Sequence, residues 1–138
     1  MTAIPLDHDK PDLTGDTETQ NDIFLQVFNS GDGALFDRLY RDDAISNFSG
    51  EPLTGEARRE FFVGFIGAKP TLEARVTHSY VAGDVALIGV DFKVEGTDPE
   101  GKPFTIEGKC TDVLRKVEDG RWLMAVDRPV AAGGLLPE

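Results

Sequence analysis

Apolar residues recur at helical spacing in the first half of the chain and alternate with polar ones in the second, which predicts helices followed by a sheet. Thr17-Glu-Thr-Gln20 has the form of a capping box, a hydroxyl followed three residues on by a glutamine. Behind it Ile23, Phe24, Val27 and Phe28 share one helical face, and Asn29-Ser-Gly31 ends the run. Asp32 caps a short second helix carrying Leu35, Phe36 and Leu39. Ala44 to Phe48 reads as a first strand and Ser49-Gly-Glu-Pro52 as a turn. Thr54-Gly55 precedes a third helix with Phe61, Phe62, Phe65 and Ile66 as its apolar face. Its charges Glu56, Arg58, Arg59 and Glu60 read as a solvated face.

From Leu72 onward the period falls to two. Leu72–Val81, Val85–Glu95, Phe104–Val117 and Arg121–Asp127 alternate like long strands, with turns at Gly83-Asp84, Asp98-Pro-Glu-Gly101 and Glu118-Asp-Gly120. Helices with one short strand, followed by a four-stranded antiparallel meander, make the chain α+β in class. Residues 1–16, rich in Asp, Pro, Thr and Gly, read as a flexible or loosely docked arm, 17–128 as the domain, and 129–138 as a C-terminal tail.

Composition narrows the partners. A net charge of −11, from 14 basic and 25 acidic residues, opposes binding to nucleic acid or to an anionic membrane surface. No apolar run approaches the ~18–20 residues that span a bilayer, and the opening Met1-Thr-Ala-Ile-Pro-Leu-Asp lacks the pattern of a secretory signal. A single cysteine excludes an internal disulfide and fits a reducing compartment, so a cytoplasmic location is expected. With two histidines and that one cysteine, no metal site is expected, and no cofactor-binding motif is present.

One residue breaks the strand pattern in an informative way. Along Phe104–Leu114, period two puts Phe104, Ile106, Cys110, Asp112 and Leu114 on one face, so Asp112 points at the core unless a bulge intervenes. A buried carboxylate is costly unless it is paired, hydrogen-bonded or protonated, and a protonated one is a candidate proton donor.

The order of elements, with Asn29-Ser-Gly-Asp32, Leu39-Tyr-Arg-Asp-Asp-Ala44, Gly55, Thr111-Asp-Val-Leu-Arg115 and Asp119-Gly-Arg-Trp122, resembles the nuclear transport factor 2-like superfold. That group includes SnoaL-like polyketide cyclases and steroid Δ5-isomerases, and the resemblance covers residues 17–128. It implies a cone in which three N-terminal helices pack on a strongly curved, mostly antiparallel sheet around an apolar pocket. It also implies homodimerisation through the outer sheet face, to which Val85, Leu87, Leu123 and Ala125 could contribute. In the isomerases a carboxylic acid and a tyrosine form an oxyanion hole while a second carboxylate carries the proton. By this resemblance Asp112 matches the oxyanion-hole acid, Phe24 stands at the tyrosine position, Phe48 at that of the general base, and Tyr40 at a supporting tyrosine.

The catalytic candidates are therefore Asp112, Tyr40 and His78, the last as a base of near-neutral pKa sharing a strand face with Leu72, Ala74, Val76 and Tyr80. Candidate ligand-binding residues are Phe24, Phe28, Asn47, Phe48, Phe62, Phe65 and Cys110, although core packing also accounts for the phenylalanines and for the cysteine. Two functions fit. One is proton transfer on an apolar carbonyl compound, as isomerase, cyclase or dehydratase. The other is a non-catalytic module that binds a hydrophobic ligand or serves association.

Overall fold

The computed structural model describes residues 6–131. Helix α1 (Thr17–Asn29) is capped by Asp16, whose carboxylate accepts from the Thr19 N–H and the Thr19 hydroxyl, so the cap lies one residue before the expected capping box. Asp32 caps the short α2 (Gly33–Asp37) through the Leu35 N–H, as its sequence predicts. Gly33 packs on the backbone of α3 (Gly55–Gly67); a Cβ there would collide with the Phe62 carbonyl. Strand β1 (Tyr40–Ser46) begins earlier than the pattern suggested.

The remaining strands are β2 (Thr71–Ala82), β3 (Val85–Thr97), β4 (Pro103–Lys116) and β5 (Trp122–Ala131). They form the predicted meander, and β1 joins it by pairing parallel to β5, giving a five-stranded sheet in the order β1-β5-β4-β3-β2. The free flank of β2 is covered by α1. The Asn29 amide exchanges hydrogen bonds with both the N–H and the C=O of Leu72, and Asn21 donates to the Ala74 carbonyl. Covering an edge strand in this way satisfies backbone groups that would otherwise be open to pairing.

The core between helices and sheet is largely aromatic. Phe36 sits at its centre, with ring centroids 4.8–5.5 Å from those of Phe24, Phe28, Tyr40 and Phe62. Two expectations need correction. Arg58 lies in the buried stripe of α3, 4% exposed, donating to Asp37 at 2.9 Å and to the carbonyls of Arg41 and Ala44. The segment before α1 is not loose over its described part. Leu13 is fully buried and donates to the Trp122 carbonyl, while Asp12 accepts from the Trp122 N–H. At the other end β5 runs into the predicted tail as far as Ala131, and residues 1–5 and 132–138 lie outside the described residues.

Two irregularities of the sheet decide which side chains face inward. In β2 the pairing with β3 slips at Thr77, between Val76↔Val90 and His78↔Gly89. In β5 it slips against β4 at Ala125, between Leu114↔Met124 and Val113↔Val126. Each extra residue reverses the inside–outside phase of everything after it.

Candidate functional site

Strand β4 runs without interruption from Phe104 to Asp112, so the sequence's phase holds and Asp112 is buried on the core face. Directly opposite it on β5 stands Asp127, equally buried. The slip at Ala125 aims Asp127 inward; on strict alternation from Met124 it would face out. Ser46 of β1 pairs with Asp127 in turn. Three polar side chains therefore stand in one row across the inner face of the sheet.

Their hydrogen bonds divide the labour between the carboxyls. Asp127 Oδ2 accepts from the Tyr40 hydroxyl at 2.6 Å and from the Ser46 hydroxyl at 3.2 Å. The Cys110 thiol lies 3.1 Å from Asp112 Oδ1 and 3.2 Å from Asp127 Oδ1. Hydroxyl donors gather on Asp127. Asp112 has no comparable donors. Burial first, then the charge of Asp127 and a hydrogen bond to it, push the Asp112 carboxyl well above the ordinary range, so it keeps its proton. Two carboxyls this close cannot both ionise cheaply, and their titration belongs to the pair.

The neighbours also hold their protons. Burial, followed by the charge of Asp127, raises the Tyr40 phenol well above its usual value. Burial and both carboxyls do the same for the Cys110 thiol, which makes it a weak hydrogen-bond donor rather than a nucleophile. The Cys110 sulfur and one oxygen from each aspartate lie within 4.8 Å of one another, as three ligands of a metal ion would.

The pair opens on a cavity of about 30 Å3 between α1 and the sheet, room for roughly two water molecules. Its apolar walls include Phe24, Phe48, Leu72, Val90 and Phe92; its polar groups are Asp112, Asp127, Cys110, Gln20 and Asn21. Phe48, on the wall of this cavity, packs towards an outer apolar groove of about 530 Å3 that Phe61, Phe65 and Phe104 line. Its ring packs on Phe61 and Phe65, with centroids 6.3 and 5.4 Å away.

Of the residues singled out in the sequence, Asp112, Tyr40 and Cys110 come together, and Phe24 and Phe48 line the cavity beside them. Phe28 and Phe62 are buried in the aromatic core, Phe65 faces the outer groove, and Asn47 donates its N–H to the Asp127 carbonyl. His78 belongs elsewhere. The slip at Thr77 turns it to the outer face, where it is exposed, contacts the Thr77 hydroxyl, and covers Gly89 so closely that no Cβ would fit there. Tyr80 goes out with it, at 68% exposed. Sequence reasoning missed Asp127 and Gln20. Gln20 was legible, because it precedes Ile23 and Phe24 by one helical turn and so lies on their face.

The α+β cone is the fold of nuclear transport factor 2-like superfamily proteins. The SnoaL-like domain family matches residues 23–124, and the chain belongs to that family. Among solved structures it is similar to a candidate calcium/calmodulin-dependent protein kinase II association domain from Xanthomonas campestris, at 21% identity over 95% of this chain and 96% of that one, with TM-score 0.67. It is similar to a nuclear transport factor 2-like superfamily protein from Salmonella enterica, at 16% identity over 78% and 82%, with TM-score 0.68. A ketosteroid isomerase-like protein from Erwinia carotovora is also similar, at 16% identity over 79% and 88%, again with TM-score 0.68. At these identities the likeness speaks for the fold alone. No curated protein matches the chain. Among the described residues no helix is long and apolar enough to cross a membrane.

Proposed function

We propose that the protein binds a small apolar carbonyl compound with its carbonyl beside the Asp112–Asp127 pair and its apolar body in the space freed when the Phe48 ring turns aside from the cavity, and moves a proton on it without a cofactor. The observation that carries this reading is the paired burial of two carboxyls, unequal in their donors, on the wall of one cavity. Asp112, protonated, donates to the carbonyl oxygen as negative charge develops there. Asp127, a carboxylate lining the same cavity, takes the proton from the adjacent carbon and returns it at a second position, so the isomerisation balances. Tyr40 and Ser46 hold Asp127 in place. The test is hydrogen–deuterium exchange at the α-carbons of a panel of enolisable ketones, followed by NMR in D2O. The wild type should exceed buffer, and Asp112→Asn or Asp127→Asn should each lose about 100-fold or more. No exchange on any ketone, or exchange indifferent to both substitutions, would refute the proposal.

A second reading, a non-catalytic hydrophobic-ligand or association module, is favoured by how completely phenylalanines fill the interior. Ligand binding with no exchange would select it.

In either reading the protein works as a homodimer. Ile45, Val126, Val113, Leu87 and Tyr80 are paired strand to strand in one apolar row across the outer face, all but Val113 substantially exposed. Of the four residues expected there, Val85 and Leu87 are exposed, Ala125 is half-buried, and Leu123 is buried within the chain. Light scattering on wild type and Leu87→Glu should give a dimer and a monomer mass respectively; a wild-type monomer would refute it.

A further inference from the structure

Gln20 is held where a glutamine is expensive. It lies on the buried stripe of α1, 3% exposed, and its Oε1 is the one buried side-chain nitrogen or oxygen among the described residues without a hydrogen-bond partner. The neighbouring Asn21 gives its amide to the Ala74 carbonyl, so the helix surface is not short of partners in general. Gln20 lines the same cavity as Asp112, and the walls between them are Phe24, Leu72, Val90 and Phe92, none of which can donate through its side chain. A buried acceptor with no donor in the chain takes its hydrogen bond from outside it, from a water in the cavity or from a ligand group that displaces that water.

We propose that Gln20 is the second polar anchor of the cavity, its Oε1 accepting a hydrogen bond from a hydroxyl or N–H on the same ligand whose carbonyl oxygen meets Asp112. This rests on the carbonyl-compound reading above and narrows it. The ligand is a small apolar carbonyl compound that carries a donor of its own, such as a hydroxy-ketone, rather than a plain ketone. A site built to bond a ligand donor rejects the analogue lacking it, because the orphan then stays orphaned. A methoxy analogue is worse placed still, since it sets one acceptor against another.

The probes are acetophenone and its 2-, 3- and 4-hydroxy and methoxy derivatives, titrated calorimetrically into the wild-type protein. At least one hydroxy isomer should bind about tenfold tighter than its methoxy counterpart. Gln20→Leu should bring that ratio to within about twofold. Its Tm should hold or rise, because an unpartnered polar group has been removed; Gln20→Met repeats the measurement should the leucine variant not fold. Asp112→Leu, in contrast, should weaken acetophenone and all its derivatives together. A wild type with no hydroxy preference, or one that survives Gln20→Leu and Gln20→Met, overturns the role of Gln20 and leaves the reading of Asp112 standing. Acetophenones that do not bind, or that bind regardless of Asp112→Leu, overturn that reading and this proposal with it.

Discussion

Replacing Tyr40 by phenylalanine removes one oxygen and almost nothing else. The ring keeps its packing on Phe36 and Phe62, at 5.5 and 4.9 Å, and its place beneath the Arg58 guanidinium. What disappears is the 2.6 Å hydrogen bond to Asp127 Oδ2, made to a carboxylate in a site shut off from water. A bond of that kind contributes about 1.5–3 kcal/mol. For a chain of this length each kcal/mol moves Tm by roughly 3–4 °C, so the variant should melt about 5–12 °C lower. Urea titration should show the midpoint falling with an unchanged slope, since the surface exposed on unfolding is the same. A cycle with Asp127→Asn isolates the interaction, because the double variant should cost less than the sum of the singles. A Tyr40→Phe variant within ~0.5 kcal/mol of wild type at neutral pH would show that this hydroxyl does not hold Asp127 in place.

The buried acid gives a pH signature of definite sign. Because folding raises the Asp112 pKa, the folded chain binds more protons, and stability falls as pH climbs from about 4 through the raised value. Asp112→Asn should flatten that fall relative to wild type and melt higher at pH 8; parallel curves would refute it. Arg58→Met strands the Asp37 carboxylate and two carbonyls, so it should cost about 3–5 kcal/mol in chemical denaturation, against less than ~0.5 for exposed Arg59→Ala. Phe48→Ala removes the ring that packs from the cavity wall towards the outer groove, so an apolar fluorescent dye should bind tighter and faster; unchanged binding would mean that entry lies elsewhere.

The parts of this architecture that follow local rules were legible, and the parts set by sheet irregularities were not. Helical spacing, cap residues and Gly-Asp turns located the three helices and the four strands of the meander, because each is encoded within a few neighbouring residues, whereas β1 starts four residues before the expected Ala44. Asp112 was legible for the same reason, since period two is unbroken along β4 up to it. Its partner was hidden by the extra residue at Ala125, which reverses the phase so that Met124 and Asp127 both face inward. The extra residue at Thr77 had the opposite effect and removed His78 from the site. No pattern in either strand announces a bulge; it emerges from pairing with a distant strand. Arg58 and Gln20 were a different case. Each sits one turn from a buried phenylalanine on its own helix, and polarity outweighed position in judging them.

The cluster has a bearing on whether the cavity is functional or merely structural. Apart from the partnered Arg58, the polar groups buried most deeply, Asp112, Asp127, Gln20 and Ser46, all stand on one cavity or touch a group that does, in an interior otherwise filled with aromatic rings. A core built only for stability would gain by replacing them. A buried polar network exchanged as a unit for apolar side chains is often neutral or stabilising by about 1–4 kcal/mol, whereas breaking it by one member is costly. The triple variant Tyr40→Phe/Asp112→Leu/Asp127→Leu removes the carboxyls together with the phenol that served them. It should be at least as stable as wild type in urea, although Tyr40→Phe alone is not, and should show no proton exchange on any ketone. A triple variant several kcal/mol less stable than Tyr40→Phe would mean that the carboxyls hold the sheet together, and their burial would then need no chemistry to account for it.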